Sequence, residues 1–407
     1  MADRVVIVGS GPAGLTAAAA LARSCEVTVL ERQPEPGGIP RHSDHTGYGL
    51  RDLRRVLAGP RYARVLVDTA MSAGAQVRTQ ATVTGWAGPR ALEVTSPRGR
   101  EVIDADAVLL ATGARERPRA ARMIPGERPA GIMTTAQLQE TVHLLHRSVG
   151  TRAVILGTEL VSWSAVLTLR EAGCATVAMV TDEPRAQAPG PLTSAGRLAL
   201  RVPVLTGAQV LAIEGHGRVT GVRVRERSSG RETTLACDTV ITSGDWIGEY
   251  ELARSRGVAL APGRRAPITD ASLRLTDDGV FAAGNVVHPA DQADVCALDG
   301  RHVAESISRW LAGERSVPSG VPVLPGRGMA WIAPAIWRPG ETTARDRVLM
   351  WPTEHRALPQ LVTEQDGQRI GHVRLPWPSA PGRVLRAPAS LMSGVRADAG
   401  PVTVGLT

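Results

Sequence analysis

The segment that most restricts what this chain can fold into lies at its start. Gly9-Ser10-Gly11-Pro12-Ala13-Gly14 stands between an apolar run, Val5-Val6-Ile7-Val8, and an alanine-rich stretch from Leu15 to Ala22. A short unbroken apolar run is what a buried parallel strand requires. The alanine-rich stretch has high helix propensity. Val27-Thr28-Val29-Leu30 predicts a second strand, ended by Glu31, so the opening residues form one β-α-β unit. Each glycine has its own task in such a turn. Gly9 permits the tight bend, Gly11 lets a pyrophosphate approach the backbone, and Gly14 lets helix and strand pack closely. The helix N-terminus supplies N–H groups and the positive end of a dipole to the phosphates. Glu31 stands where an adenosine ribose would donate hydrogen bonds.

The layout recurs. Short alternating segments between Ala81 and Gly113 read as a β-meander with turns at Gly88-Pro89 and Pro97-Arg98-Gly99. A second β-α-β unit begins at Ala153-Val154-Ile155-Leu156-Gly157, with a helix over about Val161–Ala172 and a strand over Thr176–Val180. A second meander covers about Val210–Ile241. The chain then returns through Gly279-Val280-Phe281-Ala282-Ala283-Gly284-Asn285 to a helix over about Gly300–Leu311. From about Ser316 the sequence is rich in Pro, Gly and Trp, with strand-like pieces at Val321–Leu324, Arg347–Met350 and Arg369–Arg374, and reads as a small β domain.

Composition removes several classes of function. All 47 basic residues are arginine, so Schiff-base chemistry on lysine is excluded. The net charge of +8 reads as codon bias of a GC-rich genome: the arginines are scattered and aromatics make up only 3%, whereas nucleic-acid binding needs a basic face with stacking partners. Cys25, Cys174, Cys237 and Cys296 form no C-x-x-C pair, which argues against a metal site or a redox dithiol. No apolar run approaches a membrane span and the start has no signal-peptide layout, so the expected location is the cytoplasm.

Three further segments decide which nucleotide is expected: Gly37-Gly38 soon after Glu31, Ala111-Thr112-Gly113 after the first meander, and the late Gly284-Asn285. With the opening turn they resemble the flavoproteins with two dinucleotide-binding domains, the pyridine nucleotide–disulfide oxidoreductase superfamily. A closer resemblance rests on Gly37-Gly38-Ile39, His45-Thr46-Gly47-Tyr48-Gly49-Leu50, Thr112-Gly113-Ala114-Arg115-Glu116-Arg117, Ile124–Ile132 and Ala283–His288. These look like the bacterial flavoproteins that accompany a glycerol-3-phosphate dehydrogenase-type subunit, distantly similar to subunits of opine, sarcosine and proline dehydrogenases and of hydrogen cyanide synthase.

The resemblance implies an α/β fold of two Rossmann-like dinucleotide-binding domains, each with a β-meander, and a small C-terminal β domain. It places an FAD-binding domain at 1–118 and 256–315, a degenerate NAD(P)-binding-like domain at 119–255, and the β domain at 316–407. FAD would be held by Gly9, Ser10, Gly11, Pro12, Ala13, Gly14, Glu31, Arg32, Gly38, Ala111, Thr112, Gly113, Gly284 and Asn285, the last standing where Asp is commoner. It implies an FAD-dependent oxidoreductase acting on a small molecule, glycerol-3-phosphate or an amine or imino acid. A second dehydrogenase subunit or an electron-transfer protein would be its partner. The alternatives are a stand-alone NAD(P)H-dependent flavin reductase and a non-catalytic, flavin-holding assembly subunit.

The departures from the family pattern are as informative. Ile39-Pro40-Arg41-His42-Ser43-Asp44-His45 carries no sulfur where disulfide reductases have a redox C-x₄-C pair. Close relatives tend to have cysteines near Ser43 and Ala114. The second turn reads Gly157-Thr158-Glu159-Leu160-Val161-Ser162, with Glu159 where glycine would admit a pyrophosphate. The following strand ends in Thr181, next to Asp182, instead of an acid, and Asp245 replaces a glycine that faces the nicotinamide in relatives. NAD(P) binding is therefore doubtful. For proton transfer at a flavin a base near neutral pH is wanted; His45 and His288 match family histidine positions, with hydrogen-bonded loop histidines as the alternative reading. His42 is a weaker candidate. Arg115 and Arg117 stand as anion-steadying candidates or surface residues, and Asp291 and Asp294 as helix caps.

Overall fold

β1 (Arg4–Val8) leads through the glycine turn into α1 (Pro12–Leu21), and the chain returns as β2 (Glu26–Leu30). The computed structural model describes residues 2–261, 266–276, 278–289, 291–314 and 320–407. It divides into two units: Met1–Arg41 with Thr46–Ala114 and Ile247–Thr407, and His42–His45 with Arg115–Trp246. The expected boundary at residues 315–316, with Ser316, lies outside the described residues.

In the first unit β1 pairs in parallel with β2 on one side and with β3 (Ala107–Leu110) on the other. The six-stranded order runs Arg274–Thr276, Val280–Ala282, β3, β1, β2, Gln76–Arg78. Only the Arg274–Thr276 edge is antiparallel. The central strands are buried on both faces, which is why they read as unbroken apolar runs. α1 buries Leu15, Ala17, Ala18 and Leu21; each leucine so buried contributes about 1.5–3 kcal/mol.

The long helix Ala293–Leu311 begins seven residues before the expected Gly300. Gly300 does not open the helix but sits inside it. A Cβ there would collide with the Ala13 carbonyl, so its absence lets the long helix lie against α1. The first meander forms three antiparallel strands over Thr82–Trp86, Ala91–Ser96 and Gly99–Asp104.

The C-terminal residues form a five-stranded and a three-stranded sheet around their own core of Val321, Val323, Ile332, Val348, Met350 and Leu361. The strand-like pieces read from the sequence lie in the strands Val321–Pro325, Arg347–Pro352 and Gln368–Arg374.

The second unit repeats the plan. β4 (Arg152–Leu156), α2 (Leu160–Glu171) and β5 (Ala175–Val180) form its β-α-β core, and β6 (Thr239–Thr242) takes the place of β3. Its five strands are all parallel, in the order Ile132–Thr134, β6, β4, β5, Val204–Leu205. The meander is Ala208–Glu214, Gly221–Glu226 and Glu232–Ala236. Among the described residues no helix is long and apolar enough to cross a membrane.

Candidate functional site: two glycine turns

The first turn is shaped by contacts that leave one side of it open. Gly9 has φ +106°, and a Cβ on it would strike the Ala111 carbonyl; a Cβ on Gly14 would strike the Gly9 carbonyl. Side chains are therefore barred where strand, turn and helix meet. At Gly11 a Cβ would meet nothing within 4 Å. Gly11 is also the N-cap of α1, and no side chain caps that helix end. A bare helix N-terminus beside unfilled space is the arrangement that receives a phosphate.

The acid at the end of β2 closes the other edge. Glu31 is buried, and its Oε2 accepts hydrogen bonds from the Ser10 hydroxyl (2.6 Å) and the Ser10 backbone N–H (3.1 Å). Its Oε1 accepts from the Gln33 N–H at 2.8 Å. The Gly37 N–H donates to the Ser10 carbonyl at 3.0 Å, and Gly38 lies so near Gly11 that a Cβ would stand 2.9 Å from its Cα. Thr112 Oγ1 donates to the Glu249 carbonyl at 2.7 Å. Gly113 is left-handed (φ +78°) with open space around it. Arg32 is 62% exposed and 3.6 Å from Glu249.

Gly284 (φ +75°) packs over α1, where a Cβ would stand 2.9 Å from that of Ala13. Asn285 bonds reciprocally to the backbone of Asp291: Nδ2 donates to the carbonyl at 3.1 Å, and Oδ1 accepts from the N–H at 3.0 Å. An ionised aspartate could accept but not donate in that pair.

His288 is buried. Nε2 is bonded to Asp299 on the long helix, and Nδ1 lies 3.8 Å from Asp291 Oδ2. Arg345 stands 3.5 Å from Asp299, and Arg386 pairs with Asp291, so two arginines of the C-terminal β region complete the cluster. Burial alone would raise the Asp299 carboxyl; the facing His288 and Arg345 outweigh it and hold the carboxyl below its ordinary range. This is the hydrogen-bonded arrangement, not a base open to solvent. Neither aspartate caps the long helix by its side chain: the N-cap is Gln292, and the Asp294 carboxylate takes Arg51 at 3.0 Å.

His45 belongs to the second unit. Its Nε2 is 3.1 Å from Ser43 Oγ, and Gln139 Nε2 donates to Ser43 (3.3 Å) and Ser164 (2.7 Å). Ser43 is thus a buried hydroxyl in a polar chain.

The second turn has the frame of the first. Gly157 N–H donates to the Val180 carbonyl as Gly9 does to Leu30, and Ala188 N–H donates to Thr158 as Gly37 does to Ser10. Its interior differs. The Glu159 carboxylate stands over Gly157, where a Cβ would be 2.6 Å from Oε2, and over Gly244. Ser162 Oγ donates to Glu159 Oε2 at 2.8 Å, and the Ser243 hydroxyl is within reach of both (2.8 and 3.2 Å). Burial raises the Glu159 carboxyl, partly offset by hydrogen bonds from its own backbone and Ser162 and by the nearby Arg122.

Arg122, which no motif singles out, donates to the carbonyls of Arg117 (2.7 Å), Ser243 (2.7 Å) and Gly244 (2.5 Å). Asp245 is left-handed (φ +53°), as expected of a residue in a glycine position, and pairs with Arg117 at 3.1 Å. Glu116, quoted in the sequence only as part of a motif, is buried and accepts the Ala136 N–H at 2.9 Å; burial pushes its carboxyl up to about 7. Burial also pushes the Cys174 and Cys237 thiols up to about 11. Among the described residues no group of three or more His, Cys, Asp or Glu is arranged to hold a metal ion.

Residues 3–308 match the family described as pyridine nucleotide-disulphide oxidoreductase. Thioredoxin reductase of Mycolicibacterium smegmatis is 29% identical over 311 residues, covering 76% of this chain and 96% of the relative. An opine oxidase subunit of Rhizobium meliloti is 28% identical over 312 residues, covering 69% of this chain and 58% of the relative. In fold, the chain is similar to T. acidophilum thioredoxin reductase, with a TM-score of 0.64, 22% identity, and coverage of 76% of this chain and 98% of that one.

Proposed function

The chain belongs to the pyridine nucleotide-disulphide oxidoreductase family, whose cofactor is FAD, and from that premise we propose that it is the flavin-bearing subunit of a multi-component dehydrogenase oxidising an amine or imino acid of the opine kind. The observation that carries the flavin assignment is the open first turn: the bare α1 N-terminus, the unfilled side of Gly11, and Glu31 fastened at the edge. Gly9–Gly14 would hold the diphosphate, Glu31 and Gly38 the adenosine side, and Gly113 with Gly284-Asn285 the remainder. When bound, FAD supplies the hydride-accepting ring.

Two features support the reading as one component of several. The 39–45 segment has no cysteine, so this chain has no dithiol there to pass electrons onward. The Rhizobium meliloti relative is by its name one part of an opine oxidase, and this chain spans 58% of it. None of the relatives described above is named for glycerol-3-phosphate, so an amine or imino acid is the substrate class retained. His45, whose Nε2 lies 3.1 Å from Ser43 Oγ, is retained as the candidate base that the resemblance implies. His288 is a positioning residue that ties the segment after Gly284-Asn285 to the long helix through Asp299.

The test is anaerobic mixing of purified chain, alone and with the product of a neighbouring dehydrogenase-like gene, with opines, proline, sarcosine, glycerol-3-phosphate, NADH and NADPH. Flavin bleaching by an opine or imino acid, dependent on the partner, is the expected result. Bleaching of the lone chain by NADH or NADPH overturns it in favour of a stand-alone reductase. Bleaching by glycerol-3-phosphate alone overturns the substrate class.

A further inference from the structure

We infer that the second unit is closed to pyridine dinucleotides by its own Glu159, whose carboxylate stands where the phosphates of a dinucleotide would have to sit. The molecule contains its own control, because the strand ends that frame the two turns correspond residue for residue in their backbone hydrogen bonds. Gly9 N–H reaches Leu30 and Gly157 N–H reaches Val180; Ala111 N–H reaches Val8 and Ser243 N–H reaches Leu156. This register equates Gly11 with Glu159, Glu31 with Thr181, Ala111 with Ser243 and Gly113 with Asp245.

At three of the four positions the second unit has lost what a phosphate or ribose needs, and at the fourth the added Ser243 hydroxyl is turned inward. Where Gly11 leaves space, Glu159 brings a carboxylate against Gly157 and Gly244. Ser162 and Ser243, whose hydroxyls could have faced a phosphate, donate to that carboxylate or to each other. Glu159 is also the N-cap residue of α2, so its side chain leaves the backbone at the end of that helix where a phosphate would approach, although it accepts no capping hydrogen bond there. Thr181 cannot replace the ribose-binding acid, and its hydroxyl accepts the Glu183 N–H at 3.3 Å. Asp245 keeps the left-handed backbone of a glycine but adds a side chain paired with Arg117. Arg122, the cation nearest the turn, has its guanidinium spent on three carbonyls. The site has therefore not merely decayed. A single internal side chain takes up the hydroxyls of Ser162 and Ser243 and fills the space beside Gly157 and Gly244, and a ligand must first displace a buried, doubly hydrogen-bonded carboxyl group.

The closed turn bears on the electron partner of the flavin and so rests on the flavoprotein reading above. Its test reads nucleotide binding directly, so the two can fail separately. Flavin-loaded wild-type protein, E159G and E159A are titrated with NADH and with NADPH by calorimetry under anaerobic conditions. Flavin content and melting temperature are recorded for each. Wild type is expected to show no saturable binding. E159G is expected to gain at least about tenfold in affinity for one of the two nucleotides, with E159A gaining less because its Cβ remains. Micromolar binding by wild type overturns the inference. So does a folded, flavin-loaded E159G or E159A that binds no better than wild type. Should E159G fail to fold, E159A alone decides, and the wild-type titration stands independently of both. A colourless wild-type protein would sink the flavoprotein reading and leave the result for the second turn in place.

Discussion

Two glycine turns begin with the same strand, the same bend and the same backbone hydrogen bonds, yet one is open and the other is full. In the first, Gly11 has nothing within 4 Å on the side where a Cβ would point; in the second, Glu159 fills that side with a carboxylate held by Ser162 and fronted by Ser243. The strand acids diverge in the same way. Glu31 takes three hydrogen bonds that fasten the first turn, while Thr181 contributes none to the second. The lesson is that the Rossmann frame is set by backbone and apolar core. Its capacity for a dinucleotide is decided separately, by one side chain at the second glycine position. Duplication can therefore keep the scaffold of a binding site after its chemistry has changed.

The most severe way to break this comparison is to move the plug. G11E places at the first turn the residue found at the second. It sets a carboxylate against a diphosphate at a helix end with no side-chain cap. A like-charge contact of several kcal/mol corresponds to about a thousandfold loss of FAD affinity, so the variant should purify colourless yet folded. The ratio of flavin absorbance to protein, with circular dichroism for the fold, is the measurement; retained flavin would mean that the open side of Gly11 is not where the diphosphate lies. A smaller loss is expected from E31A. It removes the acid proposed to accept from the ribose, a hydrogen bond to a charged group worth about 1.5–3 kcal/mol, and loosens Ser10, so FAD should bind about tenfold to a hundredfold more weakly.

The units should also answer differently to pH. Glu116 belongs to the second unit, and burial has raised its carboxyl to about 7 from an ordinary value of 4.5. A raised acid stabilises the fold fully below its unfolded value and loses that contribution as pH climbs to the folded one. The loss is about 3 kcal/mol between pH 4.5 and 7. E116Q keeps an acceptor for the Ala136 N–H and cannot ionise. It should melt like wild type near pH 5 and several degrees higher near pH 8. Equal melting of the two proteins at both pH values would show that the carboxyl does not carry a raised pKa.

The β-α-β frames, both meanders and the doubtful second turn were legible in the sequence because each is local. The glycine spacing, the apolar runs and the replacement of a glycine by Glu159 all lie within a few residues. Partners distant along the chain were not legible. His288 reads as a candidate base until Asp299 on the helix and Arg345 from the β region are seen around it. Arg122 is the cation that anchors the second turn, but with 47 arginines nothing distinguishes it by composition or spacing. The expected helix begins at about Gly300, whereas Gly300 lies inside the helix and serves its close approach to α1, a constraint between elements that propensity does not contain. Asn285 stands where Asp is commoner, and only the structure shows why an amide suits the place: it both donates to and accepts from the backbone of Asp291.

The smallest expected effect separates shape from charge in the first turn. Arg32 follows Glu31 directly and is a cation that the resemblance puts beside the nucleotide. In the structure it is 62% exposed and lies 3.6 Å from Glu249. An exposed ion pair of that length is worth about 0–1 kcal/mol and is screened by salt. If the open turn and the helix N-terminus hold the diphosphate, R32A should weaken FAD binding by no more than about threefold, and raising the ionic strength should erase the difference. Fluorescence titration of the apoprotein with FAD at low and high salt measures both. A loss comparable to that of E31A would mean that a surface charge, and not the empty side of Gly11, distinguishes the first turn from the second.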